Sequence, residues 1–122
     1  MKLKTLPSLR EKKRYIFFRI HSEGNVKFEE MKNAVMNSII NWLGEKDTGL
    51  AKPRIIKNMW NEKEQTGVLK CSHRYADDVK VSLGLVHQIG ENRVIIETLK
   101  VSGTIKSGCE KLHSSDAKKS IS

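Results

Sequence analysis

Cysteine and proline are scarce in this sequence, with two of each, and no long apolar run occurs in its 122 residues. Cys71 and Cys109 lie far apart and form no CxxC pair, so neither a disulfide framework nor a zinc knuckle is indicated. The reading is a reduced, cytoplasmic chain. Nothing approaches the ~18–20 consecutive apolar residues of a membrane-spanning helix. No apolar segment follows Met1-Lys2-Leu3-Lys4, which argues against a secretory signal. Aromatic residues are 6% and hydrophobic residues 38%, enough for one domain with a modest core.

Acidic charge is the other shortage. Lys and Arg number 23 against 14 Asp and Glu, a net charge of +9. Residues 1–22 hold seven basic residues and one acid, residues 23–99 hold eleven of each sign, and residues 100–122 hold five against two. The whole excess therefore lies at the two ends. A basic arm beside a neutral body is the footprint expected for a partner with a dense phosphate backbone. The bland reading is a pair of solvated lysine-rich ends. A lipid surface fits less well, because segment 10–14 runs straight into a strand-like stretch and offers no amphipathic helix.

Arg14 to His21 is rich in aromatic and β-branched residues and predicts a strand. Ile16, Phe18 and Ile20 share one face; Tyr15, Phe17, Arg19 and His21 share the other. Gly24-Asn25 breaks the run. Phe28, Met31, Val35, Ser38, Ile39 and Trp42 then recur at helical spacing, with Glu29 and Glu30 suited to the first turn and Gly44 to the end. Lys52 to Trp60 predicts a second strand, with Pro53 tolerable only near its start or on an edge. Asn61 to Glu64 is a polar turn and Gln65 to Ser72 a third strand, the pair forming a hairpin. Arg74 to His87 predicts a second helix, with Tyr75, Val79, Ser82, Leu83 and Val86 on one side. Gly90-Glu91-Asn92 punctuates, and Arg93 to Val101 predicts a fourth strand.

The order β-α-β-β-α-β is that of split βαβ units. It predicts an α+β, ferredoxin-like sandwich with a four-stranded antiparallel sheet and both helices on one face. Residues 1–13 form a basic arm, 14–106 the domain, and 107–122 a Ser/Lys-rich tail with the composition of disorder.

Residues that would carry catalysis are not evident. Asp77 and Asp78 are adjacent on a helix, diverge by about 100°, and cannot meet on one metal by themselves. His21, His73, His87 and His113 show no metal-ligand spacing, and Cys71 with His73 lacks the second pair that zinc requires. Cys71 reads as a small buried hydrophobe. No catalytic residue, metal ligand or bound cofactor is assigned to the chain. Tyr15 and Phe17 on the outward face of the first strand suit stacking on unpaired bases, as RRM sheets do, or cover by a partner; the glycine-aromatic RNP1 spacing is absent. Val81 and Leu85 point away from the buried stripe of the second helix. With Met36 and Ile40 they suggest a protein-facing patch on the helical side.

Leu6-Pro7-Ser8-Leu9-Arg10-Glu11-Lys12-Lys13-Arg14-Tyr15-Ile16 resembles the opening of the archaeal component 2 proteins of ribonuclease P, members of the Pop5/Rpp14 family that is shared with the eukaryotic ribonuclease P and MRP particles. Ala51-Lys52-Pro53, Thr66-Gly67-Val68-Leu69-Lys70-Cys71 and Thr98-Leu99-Lys100-Val101-Ser102-Gly103-Thr104-Ile105-Lys106 extend the resemblance over about residues 6 to 106. It implies an RRM-like α-β sandwich that does not cleave RNA itself. It further implies an RNA subunit that uses Mg²⁺ to remove the 5′ leader of precursor tRNA. The implied partners are that RNA, a TIM-barrel protein subunit and, indirectly, precursor tRNA, with a homodimer inside a heterotetramer as one arrangement.

On this reading Arg10, Lys12, Lys13 and Arg14 are the first choice for RNA contacts, followed by Arg19, Lys100 and Lys106, since cations that displace counterions relieve phosphate repulsion. Val81, Leu85, Tyr15 and Phe17 are the candidates for contact with a protein partner. Ser102-Gly103-Thr104 is either a phosphate-approaching segment or a strand-end turn, with the turn favoured. Two other readings compete. A free-standing RRM-like protein would bind single-stranded RNA through Tyr15 and Phe17, and a small metal-dependent nuclease would use Asp77, Asp78 and His73.

Overall fold

A computed structural model describes residues 12–105. The elements are β1 (Lys13–Ser22), α1 (Phe28–Ala51), β2 (Arg54–Ile55), β3 (Thr66–Ser72), α2 (Ala76–Leu85), β4 (Gln88–Ile89) and β5 (Asn92–Ser102). The fold is α+β: two helices on one antiparallel sheet of five strands, in the order β2-β3-β1-β5-β4.

The alternation in β1 decides which way the sheet faces. Ile16, Phe18 and Ile20 join Met31, Val35 and Ile39 of α1, Val79 and Leu83 of α2, and Leu69, Val94 and Ile96 of the flanking strands in one core. Glu29 and Glu30 occupy the first turn of α1, where the amide dipoles favour them. Gln65 fixes the entry to that helix. Its Oε1 accepts from the Val26 N–H at 3.0 Å, and its Nε2 donates to the Val26 carbonyl at 3.1 Å and to that of Glu62 at 2.7 Å.

The sheet has five strands where four were expected, and the difference comes from its edges. The second strand shrinks to two residues because the backbone turns into a single 3₁₀ turn at Lys57–Met59. There the N–H groups of Met59 and Trp60 bond to the carbonyls of Ile56 and Lys57, which removes them from any ladder with β3. The added strand, β4, closes a two-residue hairpin onto β5. Gly90 at φ +61 takes the first central place of its turn, a position that type II′ hairpins give to glycine.

The helices also differ from expectation. Gly44 (φ 83, ψ 166) breaks α1 as expected, but helix resumes beyond it and ends at Lys52 in the left-handed conformation. Trp42, placed on the core stripe from its spacing, is 48% exposed. Helix α2 is shorter than expected, because His73–Tyr75 form a 3₁₀ turn and Val86 is already extended.

Candidate nucleic-acid interface

The face of the sheet turned away from the helices is where the basic residues of the strands meet. Directly opposite residues of antiparallel strands point to the same face. Tyr15 stands opposite Lys70 and Ser102, Phe17 opposite Val68 and Lys100, Arg19 opposite Thr66 and Glu97, and Lys13 opposite Ser72. Arg54 on β2 stands opposite Lys70. A bulge in β5 between the partners of Phe17 and Phe18 leaves Leu99 unpaired and so aims Lys100 to this side. Lys13, Arg19, Arg54, Lys70 and Lys100 therefore share one face. Glu97, opposite Arg19, brings an acid to the same face, and His21 Nε2 lies 2.9 Å from its Oε1.

The centre of this face is closed. Phe17 is 3% exposed and Val68 2%, while Tyr15 is half-buried. A buried ring offers no surface for a base, so Phe17 is unavailable for the stacking on which a free-standing RRM-like binder would depend. It is equally withdrawn from direct contact with a protein partner as the face stands.

The run Lys12-Lys13-Arg14 does not form one patch, because strand alternation divides it. Lys12, just before β1, is exposed, and its carbonyl accepts the His73 backbone N–H at 2.9 Å. Lys13 turns to the basic face. Arg14, opposite Cys71, turns to the helix side; its guanidinium donates to the Lys13 carbonyl at 3.1 Å and lies beside Gly103. Burial pushes the Cys71 thiol up to about 11, partly opposed by the Lys13 ammonium. Ser102-Gly103-Thr104 is a turn, in which Ser102 Oγ accepts from the Thr104 N–H at 3.3 Å. Arg10 and Lys106 lie outside the described residues, as do Cys109, His113 and nearly all of the arm and tail.

On the helical side Val81 and Leu85 are exposed, at 43% and 52%. Leu85 and Trp42 border a groove of about 500 Å³ between the helices, and Trp42 Nε1 donates to Asp78 Oδ1 at 3.3 Å. Met36 and Ile40 do not extend this patch. Ile40 sits about 200° around α1 from Ser38, whose hydroxyl donates to the Ser82 carbonyl of α2 at 2.6 Å. Among the described residues no three of His, Cys, Asp and Glu come together as a metal site. Asp77, Asp78 and His73 accordingly do not assemble a nuclease centre.

In its chemistry this is a module that can hold a polyanion. Residues 14–113 match the Rpp14/Pop5 family, and the chain belongs to it. Ribonuclease P protein component 2 of Pyrococcus furiosus is 47% identical over 104 residues, covering 84% of this chain and 85% of that protein. The protein of the same name from Methanocaldococcus jannaschii is 38% identical, covering 85% of this chain and 75% of that one. A chain in the cryo-EM structure of yeast ribonuclease MRP has the same fold, with a TM-score of 0.59 at 10% identity over 89% of this chain and 96% of that one.

Proposed function

We propose that this chain is a non-catalytic protein subunit of ribonuclease P, which supports the catalytic domain of the RNA subunit during removal of the 5′ leader from precursor tRNA. The observation that carries the reading is family membership, with 47% identity to a ribonuclease P protein component 2. The gathering of five cations on one sheet face supports it, because folding a catalytic RNA crowds phosphates that such a face neutralises.

In this proposal the RNA subunit with Mg²⁺ performs the cleavage, and the chain supplies charge and position. A TIM-barrel protein subunit is its protein partner, meeting the exposed Val81 and Leu85, and a homodimer completes a heterotetramer in the cytoplasm. The neighbour order β2-β3-β1-β5 is read as the ferredoxin-like arrangement of split βαβ units, with β4 as an edge addition.

The test is precursor-tRNA cleavage by the cognate RNA and TIM-barrel subunits, with and without this chain, across a magnesium series. The expected result is that the chain restores cleavage at low magnesium, and that K12Q/K13Q/R14Q loses much of that gain. No change in cleavage at any magnesium concentration would overturn the reading.

A further inference from the structure

Residues 23–99 carry no net charge, yet the fold sorts the charges they hold. A groove of about 640 Å³ borders the β2 edge of the sheet. Lys32 of α1, Arg54 of β2, Lys57 in the turn after it and Lys70 of β3 line it, with Tyr15 in the wall and Glu29 as the one acid among the described lining residues. Lys32, Arg54 and Lys57 are exposed and Lys70 is half-buried. Among the described residues none of the four makes an ion pair. The Lys57 ammonium instead sits 5.8 Å from the centroid of the Phe28 ring.

Arg54 and Lys70 are the informative pair. They stand directly opposite each other in the β2–β3 ladder, a placement that costs stability for like charges. A single cation on an edge strand is a common guard against edge-to-edge pairing. That guard does not account for Lys70, which belongs to an interior strand. The groove also joins the basic face, since Tyr15 is the neighbour of Lys70 on β1 and adjoins Lys13 across one pleat. A concave strip of cations, without an ion-pair partner among the described residues and continuous with a cationic sheet face, suits an extended polyanion.

We propose that this groove binds the sugar-phosphate backbone of an RNA strand, with Lys32, Arg54, Lys57 and Lys70 on its phosphates. The proposal rests on the ribonuclease P reading and adds to it a surface that the basic ends of the chain do not supply.

The test measures binding of the full chain to the fluorescently labelled cognate ribonuclease P RNA over a potassium chloride series. Wild type is compared with R54Q/K70Q and with K12Q/K13Q. Loss of two phosphate contacts makes the slope of log affinity against log salt shallower by about two, or roughly 10- to 30-fold weaker binding near physiological salt. R54Q/K70Q should show this change and a thermal midpoint no lower than wild type, because a repulsive pair has been removed. Unchanged slope and affinity in R54Q/K70Q, while K12Q/K13Q weakens binding, would overturn the groove and leave the ribonuclease P reading standing. Loss of capture of the TIM-barrel subunit with RNA binding intact would overturn it in favour of a protein site. If wild type itself binds this RNA without salt dependence, both readings fall.

Discussion

Gly67→Ala tests whether the core is built as described. Gly67 stands opposite Phe18 in the β1–β3 ladder, and both point toward the helices. A Cβ at position 67 would lie 2.8 Å from Phe18 Cζ and 3.1 Å from Trp60 Cε3. Carbon atoms rest at about 3.5–4.0 Å. Neither ring has an easy retreat. Phe18 is wholly buried, and Trp60 is packed against Phe28 with the ring centroids 6.4 Å apart. Forcing an extra methyl into a filled core costs ~1–3 kcal/mol. Alanine recovers ~0.5–1 kcal/mol over glycine, chiefly through the unfolded chain. The expected net loss is about 1–2 kcal/mol.

Gly84 in α2 is the control. A Cβ there meets nothing within 4 Å, so Gly84→Ala should stabilise by ~0.5–1 kcal/mol through helix propensity alone. Urea unfolding followed by circular dichroism reads both variants, with unchanged m-values as the sign that the unfolded states are comparable. Phe18→Leu combined with Gly67→Ala should cost less than the sum of the two single changes, because the shorter side chain vacates the contested space. A Gly67→Ala variant as stable as wild type, or additive with Phe18→Leu, would refute the argument that the ring fills the notch.

Gln65→Leu should lower stability by about 2–4 kcal/mol in the same urea assay, since it strands both backbone polar groups of the buried Val26. Cys71 should escape iodoacetamide in the native protein at pH 8 and react in urea, as peptide mass mapping would show, because its thiol is pushed up to about 11 and shielded. The same shift gives a pH window. The folded thiol is raised above its ordinary value of 9.0, so its contribution is intact below pH 9 and is lost as pH rises from there toward 11. The loss is up to ~1.4 kcal/mol per pH unit, and Cys71→Val should abolish that component of alkaline destabilisation.

The parts of the fold that were legible are those whose signal is local. Strand β1 spans Lys13–Ser22 where Arg14 to His21 was expected, because its alternation runs over the whole element. The stripe Met31, Val35, Ile39 in α1 is buried as its spacing requires. Strands β2 and β4 have two residues each, too short to show any period, and their existence depends on the partner strand. Gly44 marked a real break in the helix, but nothing local says that helix resumes after it.

The charged surface follows the same division. Counting along the chain finds an excess at the ends because an end is contiguous; it cannot find Arg54 opposite Lys70, which are separated by a turn and brought together by register. The two helices carry six acids against three lysines, so the neutral total of residues 23–99 conceals an acidic helical layer and leaves the rest of that segment, Arg54 and Lys70 included, with eight cations against five acids. A phosphate backbone responds to charge within about a Debye length, ~8 Å at physiological salt. At that range the face matters and the segment sum does not. The Lys12-Lys13-Arg14 run makes the converse point, since the pleat of β1 sends Lys13 and Arg14 to opposite faces of the sheet and Lys12 lies just before the strand. The cationic face of this sheet is therefore set by cross-strand pairing, which joins Lys13, Arg19, Arg54, Lys70 and Lys100 from four strands.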